Sequence, residues 1–190
     1  MIEPRTLLSG YAAGVFPMAE PKSGKVEWFS PDPRGIIELD DLNISRSLRQ
    51  VIRKKTFEIR FDTAFENVMR ACAARDETWI SEEIVQSYVN LHRLGWAHSV
   101  ETWQGSQLAG GLYGVSLGAA FFGESMFSRV RNASKVALVV LVERLRRRGF
   151  TLLDTQYLTP HLASMGGKEI PRNDYLDRLS AAIRLPRAFA

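Results

Sequence analysis

Three stretches of this 190-residue chain carry side chains suited to chemistry. In Gly123-Glu124-Ser125-Met126-Phe127-Ser128-Arg129, a carboxylate follows an aromatic strand pattern and precedes a helical one. Placed there, Glu124 can meet a cationic substrate; the alternative is a structural ion pair with Arg129 or Arg131. In Leu153-Asp154-Thr155-Gln156, a carboxylate and an amide stand two residues apart where a short apolar strand ends. In extended chain they point to the same side. Asp154 can then orient the Gln156 amide, whose oxygen can hold a reacting amine; the alternative is an ordinary strand-end turn. Function in α/β sheets often gathers at such strand ends. The third stretch, Gln156 to Gly167, holds His161, either a base or a loop histidine bonded to backbone.

Other chemistries lack their residues. His92, His98 and His161 show no metal-ligand spacing and there is one cysteine, so no metal is expected. No Gly-x-Ser-x-Gly elbow supports a Ser–His–Asp triad. Cys72 falls on an apolar stripe with Phe65, Val68 and Met69, which predicts a buried, inert thiol.

The elements that must position these residues are legible as patterns. Pro4 opens a helix that Gly14 stops. The Pro- and Gly-rich stretch from Phe16 to Gly35 reads as loop. Gly35 to Leu39 reads as a strand, Ser45 as the cap of a helix to about Lys54, and Phe57 to Phe61 as a strand. Asp62 or Thr63 caps the next helix, and Ser81 caps another that ends at Gly95. Three strand-like runs follow, Ala97 to Trp103, Gln107 to Ser116 and Ala119 to Phe127, joined by short turns. Ser134 then caps a buried helix through Arg148, Phe150 to Asp154 is a strand, and Asn173 starts a last helix.

This order predicts an α/β (α+β) fold: a mixed sheet with a central antiparallel meander, flanked by helices. A meander followed by a helix crossing to a further strand is the central pattern of GNAT-like acyltransferases, a fold-level analogy. Users of acetyl-CoA in that fold need a glycine-rich loop for the pyrophosphate. The corresponding segment, Arg129 to Ser134, has no glycine, which argues against a CoA-dependent acetyltransferase.

Length and composition fit one domain over residues 1–190, with residues 1–40 as an N-terminal helix and loop packed on it. Hydrophobic residues make up 45% and charged residues 24%, which excludes collagen-like and wholly disordered chains. The longest apolar run, Val136 to Val142, falls far short of the roughly 20 residues of a membrane span. Met1 to Gly10 has no signal-peptide pattern, so a cytoplasmic location is expected. The net charge of +4 permits a nucleic-acid partner. One basic cluster holds Arg46, Arg49, Arg53, Lys54 and Lys55; another holds Arg144, Arg146, Arg147 and Arg148. Each is either a solvated helix end or a phosphate contact.

Ten stretches in order resemble the leucyl/phenylalanyl-tRNA–protein transferase family. They are Tyr11 to Pro17, Trp28 to Arg34, Asn43 to Ser47, Thr78 to Ile80, Gly95 to Ser99, Gly110 to Val115, Phe122 to Arg129, Asn132 to Lys135, Leu153 to Gln156 and Ile170 to Tyr175. The resemblance implies a GNAT-like catalytic domain that transfers Leu or Phe from aminoacyl-tRNA, with Met as a further candidate donor. The acceptor is the α-amine of proteins beginning with Arg or Lys, which marks them for N-degron degradation. It implies that Asp154 and Gln156 serve the amine and that Glu124 meets the acceptor's basic residue. Leu112, Phe121, Leu138 and Leu141 match the apolar pocket, Trp79 a tryptophan near the aminoacylated end, and Ser125 and Thr159 further substrate positions. Arg46, Arg144, Arg147 and Arg148 are the candidate tRNA contacts. The ester is already activated, so no cofactor is expected, and a monomer suffices. Met18 stands where members often place tryptophan, Thr159 where asparagine is common, and Leu141 where an aromatic can occur. The rival readings are the same chemistry with another amino acid or acceptor, CoA-dependent acetyl transfer, and a non-catalytic RNA-binding module.

Overall fold

A computed structural model describes residues 1–190. The first helix, α1 (Pro4–Ala12), has Pro4 at its first position, where the missing N–H leaves no hydrogen bond unmade, and Gly14 follows its end at φ +76°. The stretch expected to be loop departs from that reading. It forms an antiparallel hairpin, β1 (Phe16–Ala19) and β2 (Val26–Phe29), and then β3 (Arg34–Ile37). Proline is compatible because the hairpin is a separate two-stranded sheet, where a strand is always an edge.

Next come α2 (Arg46–Arg53), β4 (Glu58–Phe61), α3 (Phe65–Ala73) and α4 (Glu82–Arg93). The Oγ atoms of Ser45 and Ser81 accept from the amides of Leu48 and Ile84, the expected caps. The start of α3 differs. Ala64 holds the cap position, and the buried carboxylate of Glu101 accepts from the amides of Thr63 and Ala64 at 3.0 Å each. A distant side chain thus replaces the local cap.

The meander is β5 (Ala97–Gln104), β6 (Gln107–Leu117) and β7 (Ala120–Ser128). After it come α5 (Ala133–Arg147) and β8 (Leu152–Gln156). Asn132, not Ser134, caps α5, at φ +71° and without a side-chain bond. The short α6 (Pro160–Ser164) and β9 (Gly167–Ile170) were not anticipated; α7 (Arg172–Ile183) was.

One mixed sheet has the order β4-β5-β6-β7-β8-β3-β9, antiparallel throughout except between β7 and β8. Residues of α1, α3, α4 and α7 pack in one core, and those of α5 and α2 in the other. The sheet is therefore covered by helices on both faces. The β7–β8 pairing runs from Ala120 opposite Leu152 to Phe122 opposite Asp154 and stops there. Both strands continue, β7 to Ser128 and β8 to Gln156, so they part. No helix is long and apolar enough to cross a membrane.

Candidate active site

The parting strands are each bulged at the point where they separate. On β7, Ser125 pairs with Tyr113 and Gly123 with Gly114, leaving Glu124 as the extra residue. A bulge of this kind bends a strand and re-aims the side chain it carries. Gly114 permits it: a Cβ there would lie 2.2 Å from the Phe122 carbonyl oxygen. On β8, Gln156 pairs with Gly35 and Asp154 with Ile36, leaving Thr155 extra. Gly35 again faces the bulge, and a Cβ there would lie 2.8 Å from the carbonyl carbon of Tyr157. Past the bulge, Gln156 has φ +65°, which costs a residue with a Cβ about 1–2 kcal/mol.

This corrects the expected geometry of Asp154 and Gln156. Extended spacing put both on one side of β8, and the bulge with the left-handed residue separates them. The Asp154 carboxylate lies underneath and accepts from the Gln156 backbone amide at 2.8 Å. The Gln156 side chain turns instead to Glu124, with Nε2 donating to Oε1 at 2.8 Å. Thus Asp154 fixes the backbone of Gln156, and Glu124 orients its amide.

Glu124 is a buried acid with one committed oxygen. Tyr11 also donates to Oε1, at 2.7 Å, and the Tyr88 hydroxyl is hydrogen-bonded to that of Tyr11. The partners Arg129 and Arg131 offered as an alternative are not used. Oε2 has no partner. Burial, aided by the charge of Asp154, pushes the Glu124 carboxyl up to about 8. With nothing beside it, this acid is largely neutral at pH 7.

Beneath lies a buried ion pair. Arg34 donates from Nε to Asp154 Oδ1 at 3.0 Å and from Nη2 to Oδ2 at 2.7 Å, and its Nη1 reaches the Gly14 carbonyl at 2.9 Å. Tyr175 donates to Oδ2 at 2.7 Å. The guanidinium sits 4.8 Å from the Phe16 ring and 4.4 Å from the Tyr175 ring. A bidentate, doubly stacked arginine is geometrically rigid. It locks Asp154, which locks Gln156.

Above the pair is a cavity of about 680 Å³. Leu112, Leu138 and Leu141 line it, as do Trp79, Ser125 and Thr159. The Thr159 hydroxyl also caps α6, accepting from the Leu162 amide at 3.2 Å. Phe121 does not line the cavity, contrary to expectation. Its ring is fully buried and packs on Phe189 at 5.3 Å, behind the wall. Asp154 also lies outside the lining.

The basic residues stand apart from this centre. Arg46 is exposed in the first turn of α2, and Arg147 and Arg148 are exposed at the end of α5. At 1.5 Å per residue, Arg147 lies about 14 Å along the helix from Leu138. Arg144 is partly buried, 4.8 Å from the Phe189 ring, and donates to the Phe189 carbonyl at 2.8 Å. Its first commitment is therefore to the C-terminal segment.

Sequence reasoning missed Arg34, Tyr11, Tyr88 and Tyr175 as parts of the site. The three tyrosines lie on α1, α4 and α7 among apolar residues and are fully buried. The available signal was the hydroxyl, because a buried tyrosine needs a polar partner. Arg34 carried no local signal; its partner is 120 residues away.

The family model described as leucyl/phenylalanyl-tRNA protein transferase matches residues 36–180, and the model of that family's N-terminal domain matches residues 1–32. Proteins named leucyl/phenylalanyl-tRNA–protein transferase are similar over nearly their full length. The one from Herpetosiphon aurantiacus is 56% identical, covering 99% of this chain and 98% of that protein. The one from Gloeobacter violaceus is 55% identical (99% and 97%), and the one from Rubrobacter xylanophilus 57% (100% and 99%). Among solved structures, the one titled the structure of L-PGS from Bacillus licheniformis is similar at 12% identity and a TM-score of 0.43, over 86% of this chain and 56% of that one. Two adjoining models of one family match most of the chain, and relatives of its own length share more than half its residues; the chain belongs to the leucyl/phenylalanyl-tRNA–protein transferase family.

Proposed function

We propose that this protein transfers leucine or phenylalanine, or methionine, from aminoacyl-tRNA to the α-amine of proteins beginning with arginine or lysine. Such transfer marks the acceptor for degradation through the N-degron pathway. The observation that carries this reading is the Glu124–Gln156 contact: a buried acid with one unpartnered oxygen beside an amide whose oxygen is free. The cation of an N-terminal Arg or Lys ionises Glu124 and binds at Oε2. The adjacent α-amine then reaches Gln156 Oε1. Its unperturbed pKa near 8 leaves a sizeable neutral fraction at pH 7. Leu112, Leu138 and Leu141 hold the aminoacyl side chain, Trp79, Ser125 and Thr159 the adjoining substrate atoms. Phe121 supports that pocket from behind. Positioning two reactants in this way can supply roughly 7–11 kcal/mol.

Asp154 acts by holding Gln156 in its left-handed conformation. Arg46, Arg147 and Arg148, with Arg144 behind them, engage tRNA phosphates away from the reacting ester. The meander, the crossing helix and the parting of β7 from β8 support a GNAT-like fold. Tyr11 and Phe16 touch Glu124 and Arg34, which supports one catalytic domain over residues 1–190 with residues 1–40 as part of it. One chain supplies every group of the network, which supports a monomeric enzyme, and a substrate of charged tRNA supports a cytoplasmic location. The test is mass spectrometry of a peptide beginning with Arg after incubation with Leu-tRNA, Phe-tRNA or Met-tRNA. A gain of one residue mass is expected with at least one donor. No gain with any of them, while the tRNAs stay charged, refutes the donor assignment.

A further inference from the structure

Four buried side-chain polar atoms have no hydrogen-bond partner, and all belong to residues lining the cavity: Tyr113, Glu124, Thr155 and His161. An orphaned polar atom costs a folded protein about 1–3 kcal/mol, so four gathered round one cavity point to substrate. His161 stands out because its Nε2 is shut away from solvent and it sits on a different element, α6, from the amine-binding pair. Burial and the Lys135 ammonium hold its imidazole below the ordinary histidine value, so it is neutral at pH 7. His161 lines the same cavity as Leu138 and Leu141 of α5.

The reaction moves a proton from nitrogen to oxygen, and none of Gln156, Glu124, Asp154 and Tyr113 is suited to carry it. An amide such as Gln156 can orient an amine but is far too weak a base to hold its proton. Glu124 is committed to the acceptor's cation. The Asp154 oxygens are taken by Arg34, Tyr175 and the Gln156 amide. The Tyr113 hydroxyl is pushed well above its usual value by burial and by Glu124, so it does not act as a base.

Resting on the transferase reading above, we infer that His161 is a catalytic residue, the proton carrier between the attacking amine and the departing ribose oxygen. The neutral amine attacks the ester carbonyl; the new C–N bond forms and the carbonyl π pair moves to oxygen. Nε2 takes one proton from the nitrogen. As the intermediate collapses, the C–O bond to the ribose breaks and that proton passes from Nε2 to the leaving oxygen. One amine and one ester give one amide and one alcohol, and the imidazole returns to its starting state.

The test is single-turnover transfer of leucine from Leu-tRNA to a peptide beginning with Arg, with wild type, His161→Ala and His161→Gln. Leu-tRNA binding is measured in parallel. Both variants should lose about 10²–10³-fold in the rate of transfer, while affinity for Leu-tRNA changes by less than about threefold. Added imidazole should restore His161→Ala by at least about tenfold and leave wild type unchanged. A merely structural histidine gives no such rescue. Variants within about threefold of wild type in rate, slow variants without rescue, or a loss of tRNA affinity in place of rate each overturn the inference. If wild type itself transfers nothing, the transferase reading fails first and this inference with it. An active wild type with unaffected variants removes only the role of His161.

Discussion

Glu124 is an acid that the folded chain keeps from ionising. In the unfolded chain it titrates near 4.5, and in the fold only at about 8. An acid whose value rises on folding stabilises fully below its unfolded value and loses that contribution as pH climbs through the folded one. Glu124→Gln keeps the shape without the charge. Its midpoint of thermal unfolding relative to wild type should therefore rise as pH goes from about 4.5 to about 8 and level off beyond. A difference that stays flat across that window removes the buried acid. The second residue-scale prediction concerns Arg34 and Asp154, both fully buried. Removing one partner strands a charge, so Arg34→Met and Asp154→Asn should each cost about 3–5 kcal/mol in urea unfolding. The double variant should cost clearly less than the sum. Additive losses would mean that the pair is not the floor of the site. The sequence made the chemical types legible, because a carboxylate and an amide at strand ends stand out. It hid their partners, since Arg34, Tyr11 and Tyr175 come from distant segments.

At the scale of elements, two bulges opposite two glycines do the positioning. The meander, the helices and their Ser45 and Ser81 caps were legible because hydrophobic period and capping chemistry are local. The bulges were not, because a bulge is a register mismatch between two strands and neither strand alone reveals it. The consequence was a wrong geometry for Asp154 and Gln156, which a regular strand would have put on the same side. The hairpin over residues 16–29 was missed for a related reason: proline density excludes a central strand but not an isolated ribbon. Gly114→Ala should place its methyl against the Phe122 carbonyl and the Phe121 ring, costing about 1–3 kcal/mol of stability and sharply lowering transfer. Unchanged activity would show that the β7 bulge does not aim Glu124. The left-handed Gln156 gives a cleaner comparison. Gln156→Ala and Gln156→Gly both lose the amide, yet the glycine variant should be the more stable by about 1–2 kcal/mol. Equal unfolding midpoints would contradict the strained conformation.

At the scale of the whole molecule, the exposed arginines of α5 stand away from the cavity. The cavity lies where β7 and β8 part, whereas the exposed arginines at the end of α5 lie about 14 Å further along that helix. Composition permits a nucleic-acid partner, and the exposed arginines at that helix end are the contacts proposed for tRNA. Arg147→Ala and Arg148→Ala should each weaken Leu-tRNA binding and lower the slope of log affinity against log salt by about 1, with little change in transfer at saturating tRNA. An unchanged slope would make that helix end an ordinary solvated cap. Acceptor competition tests whether Glu124 reads the first residue of the acceptor. Peptides beginning with Arg, Lys and Ala are mixed with Leu-tRNA and either wild type or Glu124→Gln, and the products are weighed by mass spectrometry. A hydrogen bond to a charged group contributes about 1.5–3 kcal/mol, so wild type should favour Arg and Lys over Ala by more than about tenfold. Glu124→Gln should erase most of that preference. If wild type treats the three alike, or the variant keeps the original ranking, Glu124 does not read the acceptor.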